Sequence, residues 1–134
     1  MKRTRISVLV GCLVGLAPIG TVYAHHAASA QYDVEKKIEF KGVLTKVEWV
    51  NPHAHMTFDV KGNDGKVKPW SIEFFGVTGL RKMGLANKNV MKIGDTYALV
   101  VSPARDRSNT GLIQSLTFPD GRVYGTASVP ADLR

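Results

Sequence analysis

The stretch Gly42-Val43-Leu44-Thr45-Lys46-Val47-Glu48-Trp49-Val50-Asn51-Pro52-His53-Ala54-His55-Met56-Thr57-Phe58-Asp59-Val60 decides the fold. Its residues alternate with a period of two on either side of one interruption, the pattern of two half-buried strands rather than of a helix. In the first run Val43, Thr45, Val47 and Trp49 are predicted to point one way, and Leu44, Lys46, Glu48 and Val50 the other. Asn51-Pro52 breaks the run, because proline has no N–H for a ladder and forces its predecessor to be extended. Alternation resumes at His53. Ala54, Met56, Phe58 and Val60 form an apolar face, and His53, His55, Thr57 and Asp59 a polar one.

Downstream, Gly62-Asn63-Asp64-Gly65 is a turn. Lys68 to Phe75 is the returning strand, with Trp70, Ile72 and Phe74 on its apolar face. Pairing Met56 with Ile72 and Phe58 with Trp70 keeps the large apolar groups on one side, whereas a one-residue slip would set Ile72 beside a histidine. This register puts Glu73 opposite His55 and Ser71 opposite Thr57. Gly76 to Gly84 holds one short helix, with Thr78 as the candidate N-cap and Gly84 as the stop. Lys92-Ile93-Gly94-Asp95 turns into a strand from Thr96 to Ser102. Pro103 to Thr110 is a polar loop in which Asp106, Arg107, Ser108 and Asn109 lie beside the barrel mouth, where loops often contact ligands, although a solvated turn is the favoured reading. Gly111 to Phe118 is another strand, and Pro119-Asp120-Gly121 turns into a short last one near Val123-Tyr124.

A three-stranded meander, a short helix, then two strands and a small extra hairpin is the order of the five-stranded OB-fold. The expected fold is all-β, a small antiparallel barrel of five to six strands with one short helix. A β-sandwich would need more strands.

The chain has 134 residues and a formal net charge of +7. Its first 24 residues read as a cleavable export signal: Lys2, Arg3 and Arg5 form a basic start, Ile6 to Ile19 is mostly apolar, and Val22 and Ala24 are small residues at the cleavage positions. The apolar run is too short and Gly-rich for a membrane span, which needs about 20 residues. A rival cut after Ala30 lies far from the apolar run. The signal carries three basic residues and no acidic ones, so cleavage after Ala24 lowers the net charge from +7 to +4. Much of the basicity is therefore targeting. The one cysteine, Cys12, lies in the signal, so the mature chain has no disulfide and no thiolate. The pattern fits bacterial export to the periplasm. The expected organisation is a signal over 1–24, an extended segment over 25–35, an OB-like barrel over 36–126 and a tail over 127–134.

All four histidines fall in two pairs, His25-His26 and His53-Ala54-His55. A cut after Ala24 would make His25 the first residue, offering an amine and an imidazole to one metal ion. His26 adds another donor. His53 and His55 are two apart on a strand, so both rings project from its polar face. Two imidazoles alone hold a metal weakly, and three or four ligands are needed for retention. The candidate ligand set is His25, His26, His53 and His55, with Glu73 positioned to accept from a ring and orient it. Nitrogen-rich sites favour copper(II), then zinc. Met56 points to the apolar face and is expected in the core.

Competing readings use the same residues. The rim from Asn51 to His55 could contact an organic ligand or a periplasmic protein without metal. An oxidative enzyme built on an N-terminal histidine chelate is a third class, although the sequence identifies no reaction. A nucleic-acid partner is not expected, because Trp49, Phe58 and Trp70 are predicted to face inward and the protein is exported. After cleavage no stable membrane span is expected.

From His25 to Tyr124 the chain resembles a group of small exported bacterial domains of unknown function. The resemblance rests on the His-His start, Gln31-Tyr32-Asp33, the segment from Gly42 through Asn51-Pro52-His53, Trp70-Ser71-Ile72-Glu73-Phe74 and Phe118-Pro119-Asp120-Gly121-Arg122. A serine often follows the two histidines in such proteins, where this chain has Ala27. The resemblance implies an exported β-rich domain and brings no reaction or ligand with it.

Overall fold

The computed structural model describes residues 28–87 and 89–125. Six strands and one helix follow in the order β1 (Ile38–Glu48), β2 (His55–Lys61), β3 (Val67–Glu73), α1 (Val77–Lys82), β4 (Thr96–Pro103), β5 (Thr110–Thr117) and β6 (Val123–Gly125). The sheet order is β3-β2-β1-β4-β5-β6, and β3 also pairs with β5 in parallel. That last pairing closes five strands into a barrel, with β6 as an extra strand on β5. The fold is the all-β, OB-like barrel expected from the element order.

The hairpin of β2 and β3 has the expected register: Met56 opposes Ile72, Phe58 opposes Trp70, Thr57 opposes Ser71 and His55 opposes Glu73. Met56, Phe58 and Ile72 are fully buried. Strand β1 departs from simple alternation. Its register against β2 shifts between Leu44 and Lys46, leaving one residue extra. A bulge of this kind exchanges the inward and outward sets of a strand and bends it, which helps a short sheet to close. Leu44 is therefore fully buried while Val43 is exposed, and beyond the bulge Val47 packs against the core. The predicted face of Val43, Thr45, Val47 and Trp49 is split accordingly. Trp49 lies past the strand and is 39% exposed, and Trp70 is only half-buried, so the expectation that both indoles are interior is corrected.

Helix α1 also corrects an expectation. Its N-cap is Gly76, not Thr78, and no side chain caps it. Gly84, at φ 72°, ends the turn that follows the helix, as expected of a residue that enters the left-handed region cheaply. In the segment expected to be extended, residues 28–31 form a helical turn, and Tyr32 N–H donates to the Ala28 carbonyl at 2.8 Å. Tyr32 then bridges to Ala104, and its side chain is buried.

The core contains a chain of edge-on aromatic contacts, with centroids 6.0 Å apart for Phe58 and Tyr97 and 5.6 Å for Tyr97 and Phe118. Tyr124 closes the β6 side. Its hydroxyl is buried and has no hydrogen-bond partner among the described residues. Burial alone pushes that phenol up to about 12. The folded chain thus holds the Tyr124 proton more tightly than the unfolded chain, whose phenol ionises near pH ~10. The corresponding stability is present below the unfolded value and is lost as pH rises toward 12. We expect urea midpoints to fall with pH across this alkaline window, and the fall to be shallower in Tyr124→Phe. At neutral pH the same variant should be as stable as the parent or more stable by about 1 kcal/mol, since it removes an unsatisfied buried hydroxyl.

Candidate functional site

Residues 49–54 connect β1 to β2. The Asn51–Pro52 peptide bond is cis. The Pro52 carbonyl lies so close to Gly76 that a Cβ on that glycine would sit 2.5 Å from the oxygen. Gly76 therefore lets the start of α1 approach the loop that presents His53. Gly76→Ala should force the two apart, with a destabilisation of about 1–3 kcal/mol in denaturant titrations. The His53 ring resonances should shift in NMR spectra of the same variant.

His53 lies just before β2, and His55 opens that strand. Ala54 between them is fully buried and is tied to the far side of the hairpin, since Phe74 N–H donates to its carbonyl at 2.8 Å. The two histidines thus flank an inward-facing residue and belong to the outward set. His55 is half-buried in a cross-strand row, with Glu48 opposite it on β1 and Glu73 opposite it on β3. Lys46 Nζ lies 2.8 Å from Glu48 Oε1. The Lys46 hydrogen bond and charge, and to a lesser extent His55, hold the Glu48 carboxyl below its usual range.

Glu73 sits in the middle of the arrangement. Its Oε1 contacts His53 Nδ1, and its Oε2 accepts a hydrogen bond of 2.7 Å from the Tyr32 hydroxyl. The carboxylate is largely buried, whereas the His53 side chain is about half exposed. Burial and the adjacent Glu73 carboxylate push the Tyr32 phenol well above its ordinary value, so it stays protonated and donates. Gln31 Nε2 donates to the same phenol oxygen at 3.1 Å. With Nδ1–H facing the carboxylate, a neutral His53 ring carries its lone pair on Nε2. That nitrogen has no partner among the described residues. A carboxylate behind an imidazole, leaving the other ring nitrogen outward, is the usual support of a histidine metal ligand.

The sequence placed Glu73 across from His55, and it is there, but the ring its carboxylate engages is His53. His25 and His26 lie outside the described residues. Among the described residues no three of His, Cys, Asp and Glu are grouped so as to hold a metal ion. Tyr32 was missed as a site residue. Its signal was its place in the Gln31-Tyr32-Asp33 motif, which gave it no role, and the contact it makes is 41 residues distant in sequence.

The chain belongs to the family of unknown function DUF6152. The match spans residues 14–114, which takes in all four histidines, Tyr32 and Glu73 and ends within β5. No curated protein matches the chain. Membership in DUF6152 agrees with the resemblance to small domains of unknown function and supplies no activity. None of the described helices is long and apolar enough to cross a membrane.

Proposed function

We propose that the protein is an exported periplasmic binding module that holds one transition-metal ion, copper before zinc, through His53 and His55 joined by His25 and His26 of the processed N-terminus. The observation that carries this reading is the Tyr32–Glu73–His53 chain, which engages one imidazole through Nδ1 and leaves its Nε2 without a partner among the described residues. The described residues alone supply two imidazoles, too few for retention, so the reading requires the leading histidines.

The same chain of contacts bears on whether those histidines can arrive. Tyr32 touches the carboxylate that touches His53, and the helical turn leads from Tyr32 back to Ala28. His25 is three residues before Ala28, a reach of up to about 11 Å. Cleavage after Ala24 is also the cut compatible with this turn. A cut after Ala30 would remove Ser29, whose carbonyl accepts a 2.9 Å hydrogen bond from Arg105 Nε. Native mass spectrometry of the exported protein tests both elements. The expected species begins at His25 and carries one copper or zinc ion. A species that begins at Gln31 and carries no metal would rule the reading out.

A second reading has its own support. Trp49 and Val50, beside the Asn51–His55 rim, are 39% and 48% exposed. A metal-free module that contacts an organic ligand or an envelope protein would use that rim, and the metal-free spectrum would favour it.

A further inference from the structure

On the flank of the barrel formed by the start of β1, the middle of β3 and the β4–β5 loop lies a half-open groove of about 320 Å³ that no histidine lines. Its volume is at the small end of the range for pockets that hold organic molecules. Lys36, Arg105 and Arg107 line it together with Asp33, Trp70 and Asn109. Arg105 is already engaged, with Nε donating to the Ser29 carbonyl and the guanidinium 4.0 Å from Asp33. Lys36 and Arg107 have no ion-pair partner among the described residues. Asp106, in the same loop, does not line the groove. Its carboxylate accepts the Ser108 N–H at 2.9 Å.

Two features make this more than a charged surface. Arg107 has φ 63°, the left-handed region in which glycine or asparagine would cost less. The chain thus keeps a long cation where the turn alone would favour a small residue. Trp70 lines the groove, and its indole is braced by Phe40, with centroids 4.9 Å apart and planes tilted by 42°. A braced, half-buried ring offers a flat surface at little entropic cost, and a guanidinium matches a carboxylate through paired N–H donors.

We propose that this groove binds a small organic anion made of a flat ring and a carboxylate, with the ring against Trp70 and the carboxylate at Arg107 and Lys36. The site shares no residue with the histidine site and does not depend on a metal.

The test uses metal-free protein in EDTA. The chain has two tryptophans, so Trp49→Phe leaves Trp70 as the one reporter. Emission is followed during titration with benzoate, inorganic phosphate and benzyl alcohol. Benzoate is expected to give a saturable change, with phosphate and benzyl alcohol at least about tenfold weaker. Arg107→Gly and Lys36→Ala, each added to Trp49→Phe, should weaken benzoate by about tenfold or more. Arg107→Gly should also melt no lower than its parent, because glycine relieves the backbone cost. The proposal is overturned by no saturation with benzoate up to about 50 mM, a concentration that even an inefficient fragment should not need. It is equally overturned by benzyl alcohol or phosphate binding as well as benzoate, or by undiminished benzoate binding in Arg107→Gly.

Discussion

His53→Ala is expected to weaken copper(II) binding by at least about 100-fold, read by competition with a chelator of known affinity. Loss of groups that merely orient a metal ligand typically costs about 10–100-fold, and loss of the ligand itself should cost no less. His53 is the imidazole whose orientation is fixed, since Glu73 holds its Nδ1 and Tyr32 holds Glu73. Glu73→Gln should lie within that 10–100-fold range, because an amide cannot replace the carboxylate as a strong acceptor from the ring. His53 is half exposed and outside the strands, so His53→Ala should melt close to the parent. Unchanged affinity in a folded His53→Ala protein would take that residue out of the ligand set. Unchanged affinity in Glu73→Gln with loss in His53→Ala would leave the ligand and remove the orienting role.

Phe58→Ala should cost about 3–5 kcal/mol, measured as the difference in urea unfolding free energy. Phe58 is fully buried on β2, stands edge-on to Tyr97, and opposes both Leu44 on β1 and Trp70 on β3. Its removal opens a cavity where three strands meet. Domains of this size have a total stability of about 5–15 kcal/mol, so the variant should retain little margin. The chain has a single cysteine, Cys12, so no intrachain disulfide would compensate. A loss below about 1 kcal/mol would mean that the barrel repacks around the site.

The β2–β3 hairpin was legible because its inward set is large and apolar, while its outward set is histidine, threonine and aspartate. Slipping it by one residue would bury a histidine, so one register wins. Strand β1 was less legible. A single extra residue between Leu44 and Lys46 reverses the faces, and nothing in the alternation of Val43, Thr45 and Val47 announces it. The bulge answers to the curvature of the closed barrel, which is a property of five strands together. The helix cap went the same way. Thr78 is a good capping residue, but the chain enters the helix at Gly76, where the Pro52 carbonyl leaves no room for a side chain.

The sequence alone determined the element order, the hairpin register and thereby the position of Glu73 beside His55, because burial of apolar groups with a period of two is a local constraint. Only the tertiary structure decided which imidazole the carboxylate grips, that Tyr32 secures it, and that Lys36, Trp70 and Arg107 share one groove. Those contacts join residues tens of positions apart. The His53–Glu73 contact forms across the β2–β3 hairpin, while the others come together where the β3–β5 pairing closes the sheet and the Tyr32–Ala104 bridge lays the leading segment against it.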